Sequence, residues 1–83
     1  MAFKAGFVVM APDADPKVHR ASIKTAKFEL TIVAIQLMNF EQAVDVCKEL
    51  VQKEGVQSFI LCPGFSHKAV AKVRNAVGEG VAL

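Results

Sequence analysis

The chain has 83 residues, of which 53% are hydrophobic, and its formal net charge is +2. This length predicts one domain over residues 1–83, and so small a net charge argues against nucleic acid as a partner. No apolar run reaches the ~18 residues of a membrane span, and the run at 7–12 is too short for a signal peptide. The sequence therefore predicts a cytoplasmic protein.

The hydrophobic content of the chain predicts a homo-oligomer in which another subunit covers apolar surface.

Three continuous apolar runs predict strands at residues 7–11, 30–35 and 59–61. Runs without alternating polar residues are typical of parallel strands, which are covered on both faces. A further run at 81–83 predicts a strand that is completed by another subunit or by a natural chain that continues past the last residue. Gly6, just before the first run, indicates close packing rather than binding.

Two helices are predicted from apolar residues that recur at helical spacing. The first begins after Asn39, a good N-cap, and ends at Gly55; the second begins after Ser66 and ends at Gly78. Their apolar stripes are Phe40, Ala43, Val44, Cys47, Leu50 and Val51 in the first, and Ala69, Val70, Val73, Ala76 and Val77 in the second.

The connection between the first two strands predicts a third, short helix. Asp15-Pro16 is a helix-start signal, with an acidic cap and proline at the first helical position. Val18, Ala21 and Ile23 offer this helix a thin apolar face.

Strands that alternate with helices predict the α/β class, here a small three-layer, mostly parallel open sheet resembling a truncated flavodoxin or Rossmann fold. The alternative is a ferredoxin-like α+β sandwich, in which the first helix is missing and one strand pair is antiparallel.

The predicted site lies where the carboxyl ends of the strands meet, as in other open α/β sheets. The helix after Ser66 opens with His67 and Lys68 and has no acid in its first turn, which favours an external anion. We expect backbone N–H groups of Gly64, Phe65 and Ser66 to bind a small anionic molecule. His67 and Lys68 add positive charge. Asp13 lies at the same edge, and His19 or Arg20 forms an outer clamp.

Cys62 and His67 also permit a second hypothesis, in which a thiol nucleophile is activated by an imidazole base. Asp13 is a conceivable third member, although a cysteine that ends an apolar strand is more often a buried hydrophobe. The candidate metal ligands lack any paired spacing, so no metal site is predicted. The sequence identifies no cofactor.

Three segments resemble a family of small, uncharacterised bacterial α/β proteins, described only as a domain of unknown function. They are residues 7–16 leading to 19–20, the strand at 29–33, and the turn at 61–67 followed by 70–73. The resemblance implies a fold and a shared pocket near His19 and the turn, but no activity.

The residues at the predicted site favour an anion-binding protein. The alternatives are a small enzyme of unknown reaction and a ligand-free, homo-oligomeric assembly module.

Overall fold

The computed structural model describes residues 3–61, 65–78 and 80–82. These residues form β1 (Phe3–Ala11), β2 (Arg20–Lys24), β3 (Phe28–Gln36), α1 (Phe40–Glu54), β4 (Ser58–Leu61) and α2 (His67–Val77).

The strands form one mostly parallel sheet in the order β2-β3-β1-β4. β1 pairs in parallel with both β3 and β4, whereas β2 is antiparallel to β3. Beyond β4, Ala82 forms an isolated parallel bridge with Ser58, and the Phe59 N–H donates to the Ala82 carbonyl at 2.8 Å. The apolar run at residues 81–82 therefore pairs within its own chain; residue 83 lies outside the described residues.

The helix predicted in the first connection is wrong. The N–H groups of Val18 and His19 both donate to the Asp15 carbonyl, at 3.0 and 2.8 Å, which closes a single turn. The chain then enters β2 at Arg20. Val18 is 66% exposed, so a helix here would have no apolar stripe to bury, and short helices depend on such packing. Pairing with β3 gives the segment backbone partners instead.

Both helices lie on the same face of the sheet, so the structure has two layers and the predicted three-layer arrangement is wrong. The buried cluster joins Val8, Val33 and Phe59 of the sheet to Leu50 of α1 and Val73 of α2. The strand residues of this cluster alternate along the chain, as Val33 and Ile35 do in β3, so their side chains all point to the helices. The residues between them point to the other face and are absent from the cluster.

Crossover handedness explains the two layers. From β3 through α1 to β4, and from β4 through α2 to Ala82, the chain moves in the same direction across the sheet. Right-handed crossovers in one direction place their helices on one face. Only the connection from β1 to β3 runs the other way, and it contains β2 where a helix would have covered the second face.

The helix ends match the predicted caps. Asn39 Oδ1 accepts from the Gln42 N–H at 3.1 Å, and Ser66 Oγ accepts from the Ala69 N–H at 3.1 Å. Gly55 ends α1 with a left-handed φ of 72°, a conformation that glycine adopts without a Cβ clash.

Gly6 permits the closest packing between the sheet and its own core. A Cβ at Gly6 would lie 2.8 Å from Phe59 Cε1 and 3.4 Å from Leu50 Cδ1. Phe59 pairs with Gly6 in register, so its ring covers the glycine. The prediction that Gly6 serves packing is confirmed.

Replacing Gly6 by Ala should destabilise the fold by about 1–3 kcal/mol, the usual cost of an overpacked core. Urea unfolding measures this change. Gly80→Ala is the matched control, because nothing lies within 4 Å of its Cβ position, and should be close to neutral. In a Phe59→Leu background the cost of Gly6→Ala should fall, since the clashing ring is gone. An equal cost in both backgrounds would contradict the packing explanation.

Candidate functional site

The N-termini of the two helices meet at the carboxyl edge of the sheet. Phe40 is the first residue of α1, and Phe65 immediately precedes the cap of α2. Their rings contact each other, with centroids 5.3 Å apart and planes inclined by 52°. Phe65 is buried, so its ring belongs to the core. The contact brings the partial positive charges of two helix N-termini close together.

The two N-termini differ in their charged neighbours. The first turn of α1 contains Glu41, an acid that suits a helix N-terminus, whereas the first turn of α2 contains no acid. The exposed residues His67 and Lys68 occupy that turn instead. In the described part of the chain, Ser66 Oγ satisfies the Ala69 N–H, and no acceptor is found for the N–H groups of His67 and Lys68. These two donors and the basic side chains favour a negatively charged group.

A groove of about 540 Å³ opens beside this N-terminus. Lys68 and Lys72, one helical turn apart on α2, both line it. Lys72 also borders a second hollow beside α1, so it stands between the two helix starts. The lining residues of the groove are Phe40, Ser66, Lys68, Ala69, Ala71, Lys72 and Asn75. Two ammonium groups beside an apolar wall suit a carboxylate or phosphate attached to a small apolar body.

The predicted outer clamp is not brought to this groove. Arg20 Nε donates to the Pro16 carbonyl at 2.7 Å, and its Nη1 lies 3.3 Å from Glu49 Oε2 of α1. β2 and β4 are three strand positions apart, about 14 Å at the usual spacing. Arg20 instead lines a separate cavity of about 250 Å³ between the first connection and α1.

Two other predicted residues of the first connection are also placed. His19 Nδ1 accepts from the Asp15 N–H at 2.8 Å, which holds the imidazole against the first connection. Asp13 is exposed two residues beyond the end of β1, at the carboxyl edge as expected. Neither residue lines the groove beside α2.

The remaining predictions concern the turn before α2. Cys62 and Gly64 lie outside the described residues, so the proposed thiol–imidazole pair of Cys62 with His67 stays a hypothesis. The other cysteine, Cys47, is fully buried in α1, and burial raises the pKa of its thiol to about 12. In the described residues no cluster of three metal-ligating side chains is found.

Two residues that line the groove, Lys72 and Phe40, were not predicted as site residues. Lys72 follows Lys68 by four positions, a spacing that places both on one helix face, so this signal was available. Phe40 had been assigned to the core stripe of its helix. Its place at the groove depends on how α1 packs against α2, which no local pattern reveals.

The chain belongs to the Family of unknown function (DUF6506), whose family model matches residues 3–83. This membership confirms the resemblance to an uncharacterised family and assigns no activity. No curated protein and no solved structure matches the chain. Within residues 3–61, 65–78 and 80–82, neither helix is long and apolar enough to cross a membrane.

We expect iodoacetamide to leave Cys47 unmodified in the folded protein at neutral pH, because a buried thiol with this pKa is almost wholly protonated. Peptide mass spectrometry with and without denaturant measures labelling at each cysteine. Native labelling of Cys47 at the rate of free cysteine would contradict its placement. The same spectra test Cys62: labelling faster than free cysteine would support a nucleophile, and labelling only in denaturant would remove that hypothesis.

Proposed function

We propose that this protein binds a small organic anion, a carboxylate or phosphate, in the groove beside the N-terminus of α2. The observation that carries the proposal is the first turn of α2, which has no acid and contains the exposed residues His67 and Lys68, of which Lys68 lines the open groove. The N–H groups of His67 and Lys68 would donate to the anion. Lys68 and Lys72 would balance its charge.

The helix start supplies about half an elementary charge, and this contribution falls off within one turn. Lys68 and Lys72 are exposed, so solvent screens their attraction for an anion. Burial of the ligand's apolar part against Phe40 and Ala69 must therefore supply the rest of the binding energy. This combination favours an anion with a short apolar chain or ring over a bare inorganic ion.

Catalysis is not part of the proposal: Cys62 lies outside the described residues, and among those that are described none is seen to hydrogen-bond the His67 imidazole. The fold supports a binding role at this edge: three parallel strands end there and both helices begin there.

Phenyl phosphate, which joins an apolar ring to the anion, should raise the melting temperature in a saturable manner, because a ligand that binds only the folded state stabilises it by about 2.7 kcal/mol at a hundredfold excess over Kd. Lys68→Glu should abolish this response. It should also stabilise the free protein slightly, by about 0.3–1 kcal/mol, because it gives α2 an acid in its first turn. Calorimetry of both proteins measures the two effects.

Lys27→Glu is the matched control, because it makes the same charge change in the exposed turn between β2 and β3; its response to phenyl phosphate should equal that of the unchanged protein. Sodium chloride at equal ionic strength tests general screening, which does not saturate. Equal responses to chloride and phenyl phosphate, unchanged in Lys68→Glu, would contradict the proposed site.

A further inference from the structure

The face of the sheet opposite the helices, here called the open face, is apolar across all four strands. Its residues follow from the pairing register: Ile23 pairs with Leu30, Phe7 pairs with Ile32 and Ile60, and alternate residues share a face. The open face consists of Phe3, Ala5, Phe7, Val9 and Ala11 of β1, Ala21 and Ile23 of β2, Phe28, Leu30, Ile32, Ala34 and Gln36 of β3, and Ser58 and Ile60 of β4.

Every charged residue of the four strands points to the other face. Lys4 reaches the Glu54 carbonyl at the end of α1, and Arg20 pairs with Glu49. The register places Lys24 opposite Glu29, on the same side as the helices. A sheet face that meets water normally carries polar side chains. The open face carries none that is charged, so its composition is that of a covered surface.

In the described part of the chain neither helix packs on this surface, and Ala5, at 4% exposure, is its one buried residue. The buried cluster takes its sheet residues from the helix-covered face alone. On the open face, Ile23 is 54% exposed, Ile60 52% and Phe3 48%. Phe3 and Phe28 stack at its amino edge with ring centroids 6.2 Å apart, and about half of Phe3 stays exposed.

We infer that the open face is covered by the open face of a second copy of this chain, in a sheet-on-sheet dimer. With a rise of about 3.3 Å per residue and a strand spacing of about 4.8 Å, the four strands present a flat footprint of about 430 Å². Side-chain relief raises the accessible area above this footprint. Stable interfaces bury about 600–1,000 Å² per partner, so a face of this size fits a small interface and a dimer that dissociates at low concentration.

Two properties of the face favour an identical partner. It is uncharged, so two copies related by a two-fold axis meet without like-charge repulsion. It also mixes large rings such as Phe7 with small residues such as Ala5 and Ala34, which lets the side chains of two facing sheets interdigitate about 10 Å apart. The dimer leaves the groove beside α2 open, because that groove is in the helix layer.

Sedimentation equilibrium over about 1–100 µM tests this inference. The mean mass of the unchanged chain, 8.9 kDa as a monomer, should rise with concentration and approach twice that value at 100 µM. Ile23→Lys and Ile60→Lys should each shift the equilibrium to the monomer by at least tenfold in dissociation constant. Both side chains are more than half exposed in one chain, so neither substitution opens a cavity. Val18→Lys is the matched control, since Val18 is 66% exposed in the first connection, away from the sheet, and it should associate as the unchanged chain does.

Carbene labelling of the unchanged chain gives a readout that needs no variant. Peptides that contain Ile23 and Ile60 should be labelled less at 100 µM than at 1 µM, whereas labelling at Val18 should stay constant. A monomer at every concentration would overturn the inference. The same holds if that monomer binds neutral lipid vesicles, because lipid would then be what covers the open face. A dimer that persists unchanged in both Ile→Lys variants would also overturn it, since the contact would lie elsewhere.

Discussion

The parallel pairing of β1 with both β3 and β4 is the constraint on which the rest of the structure depends. It directs three strand ends to one edge of the sheet, so both helices must begin at that edge. The contact of Phe40 with Phe65 and the groove beside Lys68 follow from this arrangement. Gly6 allows the pairing, because only a residue without a Cβ admits the Phe59 ring so close to the central strand.

The direction of the crossovers explains both proposals. Both helical connections move the same way across the sheet, so one face receives two helices and the groove between their first turns. The other face receives none, because β2 replaces the helix that would have covered it. The molecule therefore has two distinct surfaces: a basic groove in the helix layer, and an uncharged sheet face on which neither helix packs. Ligand binding and self-association would use opposite sides of the chain.

Local signals predicted the elements that depend on local physics. The caps Asn39 and Ser66 and the stripes of α1 and α2 were readable because capping and amphipathic spacing act within a few residues. β2 was not readable, since Asp15-Pro16 resembles a helix start and only pairing with β3 overrides it. The continuous apolar strands predicted a sheet covered on both faces, and in this chain the helices cover one. The apolar runs could not show that this chain covers only one of the two faces. Arg20 was misplaced because its ion pair with Glu49 is a tertiary contact.

An isotope-filtered NOE experiment on a mixture of labelled and unlabelled chains tests the central claim, a one-sided sheet whose second face meets another copy. The account predicts intermolecular NOEs from the side chains of Phe7, Ile23, Ile32 and Ile60, and intramolecular NOEs from Val8 and Val33 to α1 and α2. Intermolecular NOEs confined to the strand edges or to the helices would contradict it, as would intramolecular NOEs from either helix to Ile32 or Ile60.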